Sequence, residues 1–253
     1  MANVYDAFTA DHRYDEWTAM LERLALDAGL RGTRLLDVAC GTGKSYEPFL
    51  ARYSVTACDV SSRMLEHARV RRPGARLVEA DMRALPDLGT FDLVCLLDDA
   101  VNYLDSAEEL TATLRGVARN LAPHGVVVFD ANTLAAYRSF FAAPRLVRDD
   151  DRLLVWDGQA TPDFASGDAC TAELHVFAPA GSPSRWSHAL SVHRQRHHPE
   201  DAVERALGAA GFGWSRTWGI DVDGGCSAPL DETAHTKAIH VARLTAPAPG
   251  EGR

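Results

Sequence analysis

The stretch LLDVACGTG, residues 35–43, decides the fold class expected of this 253-residue chain. Its opening residues are apolar except for Asp37, and Gly32 and Gly41 bound the run, which predicts a short buried strand. Gly41 and Gly43 then predict a tight turn. Because glycine has no side chain, the backbone of this turn can pass close under a ligand. The stretch therefore predicts a parallel α/β sheet that binds its ligand at the carboxyl edge.

The sequence that follows alternates between short apolar runs and helical patterns. This alternation predicts right-handed crossovers and a parallel sheet with helices on both faces. A helix at 44–53 would aim its free N-terminal N–H groups at the ligand edge. The predicted strands are 34–40, 54–60, 75–82, 91–99 and 125–132, and the predicted helices are 44–53, 61–72 and 107–122.

The pattern changes after Asn132. Strand-like runs at 153–159, 169–178 and 185–198 follow one another without a helix-length segment, so antiparallel pairing is expected. A helix at 199–212 and strands at 213–222 and 235–244 come last. We predict an N-terminal lid (1–30), a Rossmann-like ligand-binding domain (31–135 and 199–245), an antiparallel β insertion that roofs the site (136–198) and a disordered tail (246–253).

The composition limits the classes of partner. There are 26 Lys and Arg against 35 Asp and Glu, and the net charge of −9 disfavours nucleic acid, whose binders normally present a basic face. The five cysteines are scattered and lack metal-ligand spacing, which suits reduced thiols in a cytoplasm. The N-terminus has no apolar signal-peptide core, and no apolar run approaches the roughly 20 residues of a membrane span. We predict a cytoplasmic protein without a membrane partner or a metal site.

Three of the predicted strands end in an aspartate. Asp37 lies at the end of the first strand, Asp59 at the end of the second and Asp81 at the end of the third. An acid after the second strand can accept hydrogen bonds from both ribose hydroxyls, and an acid after the third can accept one from an adenine amine. Met82 would add a backbone N–H and Met64 an apolar wall. Because parallel strands share one carboxyl edge, these acids predict a single elongated nucleoside site.

Two other nucleotide-binding patterns share part of this sequence. GTGKS (41–45) with LLDD (96–99) imitates a P-loop ATPase, but the Walker pattern needs a glycine five places before Gly43, where Val38 stands. A dinucleotide-binding GxGxxG would need its third glycine at Tyr46. A P-loop nucleotide hydrolase is therefore a remote alternative.

Five segments resemble the motifs of the class I S-adenosylmethionine-dependent methyltransferases. LLDVACGTG, ACDVSSRMLEHAR and EADMRALP are similar to the first three motifs in order and spacing, and FDLVCLLDDAVNYL and LAPHGVVVFDANT to the next two. Within this class, the general sequence pattern is similar to that of small-molecule enzymes such as antibiotic deoxysugar N-methyltransferases and glycine N-methyltransferase-like proteins. His124 departs from the family, which usually has a second glycine there. The resemblance implies a seven-stranded sheet with an antiparallel final strand.

The resemblance also implies S-adenosylmethionine as cofactor, with S-adenosylhomocysteine as product. In similar proteins the N-terminal segment folds over the cofactor and excludes water. The predicted cofactor-binding residues are Tyr5, Tyr14, Asp37, Ala39, Gly41, Thr42, Gly43, Asp59, Val60, Ser61, Met64, Asp81, Met82, Arg83 and Leu97.

The acceptor is expected beside the end of the fourth strand. Methyl transfer from a sulfonium mainly needs an aligned nucleophile in a dry site, and a base only where the nucleophile must lose a proton. The candidate catalytic residues are Asp98, Tyr103, Asn132 and His193. Helix capping is the structural alternative for Asp98 or Asp99, turn formation for Asn132, and a surface or structural role for His193. A metal site from His193, His197 and His198 has no supporting carboxylate spacing.

Alternation along 185–198 predicts which side chains line the acceptor pocket. It places Ser191, His193 and Gln195 on one small, polar face. We predict methyl transfer to an oxygen or nitrogen of a small-molecule acceptor, in secondary metabolism by the resemblance. Cyclisation or aminoalkyl transfer from the same cofactor is the alternative on this fold. The oligomeric state does not follow from the sequence.

Overall fold

A computed structural model describes residue 6 and residues 13–149, 151–181 and 185–244. The predicted cofactor residue Tyr5, most of the first twelve residues and the predicted tail 246–253 lie outside the described residues.

The described elements follow the predicted alternation along the chain. The helices are α1 (Tyr14–Asp27), α2 (Ser62–Arg71), α3 (Ala107–Asn120), α4 (Leu134–Ser139) and α5 (Glu200–Ala209). The first seven strands are β1 (Arg34–Val38), β2 (Ser54–Asp59), β3 (Arg76–Glu79), β4 (Phe91–Leu96), β5 (Leu121–Asn132), β6 (Arg145–Asp149) and β7 (Arg152–Gly158). The remaining strands are β8 (Ala169–Pro179), β9 (Trp186–Arg196), β10 (Phe212–Ile220), β11 (Cys226–Ser227) and β12 (Lys237–Leu244). Short 3₁₀ helices span Glu47–Ala51, Met82–Ala84 and Ala100–Tyr103.

The central sheet has the strand order β11-β10-β12-β5-β4-β1-β2-β3. Strands β1 to β5 pair in parallel, whereas β12 runs antiparallel to both β5 and β10. The predicted mostly parallel Rossmann-like sheet with an antiparallel final strand is confirmed. The eighth strand is the two-residue β11, which pairs with the end of β10.

Helices cover both faces of the central sheet. On one face Leu36 and Val127 pack in a buried cluster with residues of α3 and α5, such as Leu114. On the other face Leu35 packs in a second cluster with residues of α1, such as Leu21. Each fully buried aliphatic side chain contributes about 1.5–3 kcal/mol to folding. This two-sided burial explains why the strands read as continuous apolar runs.

The insertion forms a second sheet, which we call the roof sheet, with the antiparallel order β6-β7-β8-β9. It has its own core, in which Tyr137 and Phe141 of the α4 region pack with Trp156 and Leu174. The three predicted roof strands are present, and β6 and α4 are additional. These two elements are too short to show a periodic sequence pattern. Packing in the core of the roof sheet stabilises them.

The prediction of a helix at 44–53 is wrong. The structure has turns followed by the five-residue 3₁₀ helix Glu47–Ala51. Tyr46 folds back, is fully buried and donates its hydroxyl hydrogen to the carbonyl of Arg72. Pro48, which lacks an N–H, lies at the start of the 3₁₀ helix, and β2 begins at Ser54. The ligand edge is therefore faced by a glycine turn and not by the N-terminus of an α-helix.

Candidate active site

The turn after β1 has three residues with left-handed backbone: Ala39 (φ 60°), Gly41 (φ 53°) and Gly43 (φ 87°). A Cβ at Gly43 would lie 2.5 Å from the ring of Tyr46, so this glycine is needed for packing. A Cβ at Gly41 would meet no atom within 4 Å, so Gly41 borders open space. The turn thus leaves room for a ligand directly above the end of β1.

Asp59 joins the ends of β1 and β2. Its two carboxylate oxygens accept hydrogen bonds from the backbone N–H groups of Gly41 and Ser61, each at 2.8 Å. Burial raises the pKa of Asp59, and these two hydrogen bonds oppose the rise. Each carboxylate oxygen retains a lone pair, so Asp59 can still accept hydrogen bonds from a diol.

Asp81 follows β3, and its carboxylate is paired with Arg83. The Arg83 Nε atom lies 3.0 Å from both carboxylate oxygens, and Nη2 lies 2.6 Å from one of them. These hydrogen bonds lower the pKa of Asp81. The residue pair is partly exposed, so this end of the row of strand-end acids faces solvent.

Asp37 carries an unused acceptor at the end of β1. Its Oδ2 accepts a hydrogen bond of 2.5 Å from Ser45, whereas its Oδ1 is buried without a partner among the described residues. Burial raises the pKa of Asp37 to about 7, with Ser45 lowering it and the nearby Asp98 and Asp59 raising it. A ligand ammonium group placed here would satisfy the unused oxygen.

Apolar side chains lie at the same edge of the sheet. Val60, directly after Asp59, is 64 % exposed, whereas Leu97 is buried and Met64 is partly buried. An exposed valine beside buried polar groups suits contact with an apolar ring face.

The turn after β4 is the most constrained part of the site. Asp98 (φ 59°) and Asp99 (φ 53°) both have left-handed backbone, which Asp tolerates better than most residues. Asp99 starts the 3₁₀ helix Ala100–Tyr103, but its side chain makes no capping hydrogen bond. Instead it accepts hydrogen bonds from Gln195 Nε2 at 2.5 Å and Lys237 Nζ at 3.0 Å. The capping alternative therefore does not explain Asp99.

Asp98 lies beside the N-terminal helix. The Tyr14 hydroxyl donates a hydrogen bond of 2.5 Å to Asp98 Oδ2. Burial raises the pKa of Asp98 to about 7, and Asp130 raises it further, while Tyr14 and Lys237 lower it. Asp98 can therefore exchange a proton near neutral pH.

His193 and Tyr103 meet across the two sheets. The Tyr103 hydroxyl lies 2.8 Å from His193 Nδ1, and the His193 ring lies 5.5 Å from the ring of Trp156. Burial lowers the pKa of His193, although Asp99 opposes this. His193 Nε2 is buried without a partner among the described residues. If the Nδ1 hydrogen is donated to Tyr103, the Nε2 lone pair is left to accept a proton.

Asn132 lies in a buried amide network. Its backbone N–H donates to Asn102 Oδ1 at 2.9 Å, and its side-chain Nδ2 donates to Gln195 Oε1 at 3.0 Å. The structure thus brings all four predicted catalytic residues to one region and gives Asn132 bonds that position its neighbours. The other histidines of the predicted trio have separate partners, His197 with Glu232 and His198 with the carbonyl of Leu104. Among the described residues no His, Cys, Asp and Glu group could hold a metal ion.

Sequence reasoning did not single out Lys237, Asp130 or Asp6, and it placed Gln195 only on the polar face of its strand. Lys237 Nζ lies 2.6 Å from Asp130 Oδ2, and a lysine opening a mostly apolar strand was the available signal. Asp6 accepts a hydrogen bond of 2.5 Å from Thr42 Oγ1, and its carboxylate lies 3.2 Å from Arg72 Nη1. Asp6 therefore reaches the turn after β1.

Comparisons with known proteins agree with this geometry. A family model described as a methyltransferase domain matches residues 35–125. The dTDP-3-amino-3,4,6-trideoxy-alpha-D-glucopyranose N,N-dimethyltransferase of Streptomyces venezuelae is 31% identical over 215 residues, which cover 83% of this chain and 89% of that protein. The putative methyltransferase YqeM of Bacillus subtilis (strain 168) is 29% identical over 217 residues, covering 83% and 84% of the two chains.

Solved structures give the same result. The structure of Streptomyces venezuelae DesVI has a TM-score of 0.77 at 26% identity and covers 96% of this chain and 98% of that chain. The S-adenosylmethionine-bound structure of CalS10, an amino pentose methyltransferase from Micromonospora echinaspora, has a TM-score of 0.72 at 25% identity, covering 95% and 97%.

The chain belongs to the class I S-adenosylmethionine-dependent methyltransferases. This methyltransferase uses S-adenosylmethionine as its cofactor, as the resemblance implied. The residues fit that cofactor: the buried unpartnered Asp37 Oδ1 suits an ammonium group, the Asp59 carboxylate suits a diol, and Val60 suits an apolar ring face. Among the described residues of the methyltransferase, no helix is long and apolar enough to span a membrane.

Proposed function

We propose that this methyltransferase transfers the methyl group to an amino nitrogen of a small molecule in secondary metabolism. The observation that carries this proposal is the charge at the turn after β4. Three carboxyl groups, those of Asp98, Asp99 and Asp130, lie at this turn, where Lys237 joins Asp99 to Asp130 and Lys44 also acts on Asp98. The carboxyl groups outnumber these two cations, which favours an acceptor that arrives as an ammonium ion.

The aromatic wall supports the same acceptor. The ring of His193 on the roof sheet contacts Tyr103, which follows the turn after β4, and the buried Trp156. Aromatic faces attract cations, so this wall suits a protonated or methylated amine. Two further relatives are also named for amino sugars. They are the N,N-dimethyltransferases for dTDP-3-amino-3,6-dideoxy-alpha-D-glucopyranose of Streptomyces fradiae, at 29% identity, and for dTDP-4-amino-2,3,4,6-tetradeoxy-D-glucose of Saccharopolyspora spinosa, at 35% identity over 134 residues.

In this proposal the cofactor lies across the ends of β1, β2 and β3. Asp37 would hold its ammonium group, Asp59 its ribose hydroxyls and Asp81 its adenine amine. When bound, the cofactor supplies an electrophilic methyl group on a sulfonium with a good thioether leaving group. Tyr14 would close this end of the site and exclude water. The other residues proposed to line it are Ala39, Gly41, Thr42, Gly43, Val60, Ser61, Met64, Met82, Arg83 and Leu97.

The protein's own residues would handle the proton of the amine. An ammonium group has no lone pair, so it must lose a proton before it can act as a nucleophile. Asp98, with a pKa of about 7, and His193, with its pKa lowered by burial, are the acceptors beside the turn. We expect activity to rise with pH through about 7, as Asp98 becomes able to take that proton.

The test is a panel of matched acceptors. Amino sugars linked to dTDP, and the same sugars with a hydroxyl in place of the amine, are incubated with S-adenosylmethionine. Mass spectrometry then follows both products. We expect S-adenosylhomocysteine and a methylated sugar with the amines only. Methylation of the hydroxyl compounds alone would overturn the proposal, and release of methylthioadenosine would favour the non-methylating alternative.

We further propose that the enzyme works in the cytoplasm without a nucleic-acid partner. The net charge of −9 and the scattered cysteines support this setting. Fractionation of the producing cells would test it, and recovery outside the cytoplasm would contradict it.

A further inference from the structure

Lys237 reaches the active-site turn because of the direction of its strand. It is the first residue of β12, which runs antiparallel to β5 and pairs there with Asn132 at the end of β5. A parallel strand would place its first residue at the opposite edge of the sheet. The antiparallel direction instead brings Lys237 to the carboxyl edge, where the strand-end carboxyl groups lie.

The Lys237 ammonium group joins two of the three carboxyl groups at this edge. Nζ lies 3.0 Å from Asp99 Oδ1 and 2.6 Å from Asp130 Oδ2. The Asp99 backbone N–H also donates to Asp130 Oδ2, at 2.9 Å. Gln195 occupies the second oxygen of Asp99. Both oxygens of Asp99 are therefore engaged by protein groups, whereas Asp98 receives Tyr14 on one oxygen.

We propose that Lys237 is a positioning residue of the methyl-transfer site, which ties Asp99 to Asp130 and so leaves Asp98 as the carboxyl group that meets the acceptor amine. This inference rests on the proposed function, because it places the amine at this turn. It adds that the final strand, through one lysine, divides the roles of three neighbouring carboxyl groups.

Charges on several elements act on Asp98. Lys237 lowers the pKa of Asp98, so removal of the lysine raises it further above about 7. An opposite charge nearby typically changes a carboxyl pKa by about one unit or more. The titratable groups that face Asp98, besides its neighbour Asp99, are Tyr14 on α1, Lys44 in the first turn, Asp37 on β1, Tyr103 after β4, Asp130 on β5 and Lys237 on β12.

The test needs no acceptor. Carbon-13 NMR of aspartate carboxyl groups follows the ligand-free protein from pH 4 to 9, and Asp98→Asn assigns the Asp98 signal. We expect Lys237→Met to move the Asp98 midpoint upward by about one pH unit or more. Lys237→Arg should keep it near the wild-type value. Arg205→Met, which removes a surface cation paired with Asp201, is the control and should not move it.

Lys237→Met leaves the buried Asp130 without its cation and can fail to fold. Lys237→Gln keeps hydrogen-bond donors without the charge, and it should give the same upward shift. An unchanged Asp98 midpoint in either folded variant would overturn the inference and leave amine methylation unaffected. A shifted midpoint with no methylation of any amine would overturn the proposed function instead.

An active acceptor adds a second readout. The acidic limb of kcat/KM for the amine should move upward with the Asp98 midpoint in Lys237→Met and return in Lys237→Arg. Affinity for S-adenosylmethionine should stay within about twofold, since Lys237 is not placed at the cofactor. A uniform loss of activity with an unmoved pH profile would indicate a merely structural lysine and would contradict the inference.

Discussion

Ala39 has a left-handed backbone in the cofactor turn, with φ at 60°. This conformation costs a residue with a Cβ about 1–2 kcal/mol, and glycine avoids that cost but loses more chain entropy on folding. We therefore expect Ala39→Gly to raise the free energy of unfolding by up to about 1 kcal/mol. Ala39→Val should lower it, because a β-branched side chain tolerates this region poorly. Denaturant unfolding measures the free energy of unfolding of both variants. If Ala39→Val were the more stable variant and Ala39→Gly the less stable one, the backbone at residue 39 would not be strained.

Asp98 is a half-buried acid whose pKa is raised to about 7. A raised acid contributes stability that is present below its unfolded pKa of about 4 and is lost as pH rises through about 7. Asp98→Asn removes this loss of stability, because an amide side chain does not ionise in this pH range. The variant should match the wild type in thermal stability near pH 4 and exceed it at pH 8, by about 1–3 kcal/mol of unfolding free energy. Equal stability of Asp98→Asn and the wild type at pH 8 would show that burial does not raise the pKa of Asp98.

The common edge of Asp37, Asp59 and Asp81 could be predicted from the sequence, because parallel strands end there. Lys237 was not predicted as a site residue, and Gln195 was placed on a polar strand face without its partners. Their contacts depend on how β12 and the roof sheet pack against the turn. No local pattern in the sequence encodes that packing.

The roof sheet depends on one close approach between elements. A Cβ at Gly158, the last residue of β7, would clash with the carbonyl oxygen of Phe141 after α4. Gly158→Ala should therefore lower the free energy of unfolding by about 1–3 kcal/mol. Gly208→Ala in α5 is the matched control, because its Cβ would meet no atom within 4 Å. Its helix position should make it neutral or stabilising by up to about 1 kcal/mol. Similar losses in both variants would contradict this packing.

Elements were predictable where a periodic pattern is long. The amphipathic helix α3 was predicted at 107–122 and found at Ala107–Asn120. The segment 44–53 has helical spacing, but the fold-back of Tyr46 and Pro48 produce a short 3₁₀ helix instead. The six-residue α4 and five-residue β6 are too short to show a period, and the roof core holds them in place.

The whole molecule combines two sheets around one edge. Gln195 is buried on β9 and bonds to Asp99 and Asn132 of the central sheet, so the roof sheet is tied to the turn after β4. The parallel sheet and the roof insertion could both be predicted from the order of strand and helix patterns. The contacts between the sheets required the structure, since they join residues that are 63 and 96 positions apart in sequence.

The most direct test of the account is calorimetric titration with S-adenosylhomocysteine. The wild type should bind it, and Asp59→Asn should weaken binding about tenfold or more, because a charged acceptor for the ribose hydroxyls is lost. Asp92→Asn is the control, since Asp92 pairs with Arg34 at the opposite edge of the sheet and should leave affinity unchanged. Equal affinity in wild type and Asp59→Asn, or binding of ATP in place of S-adenosylhomocysteine, would contradict a nucleoside site built from the strand-end acids.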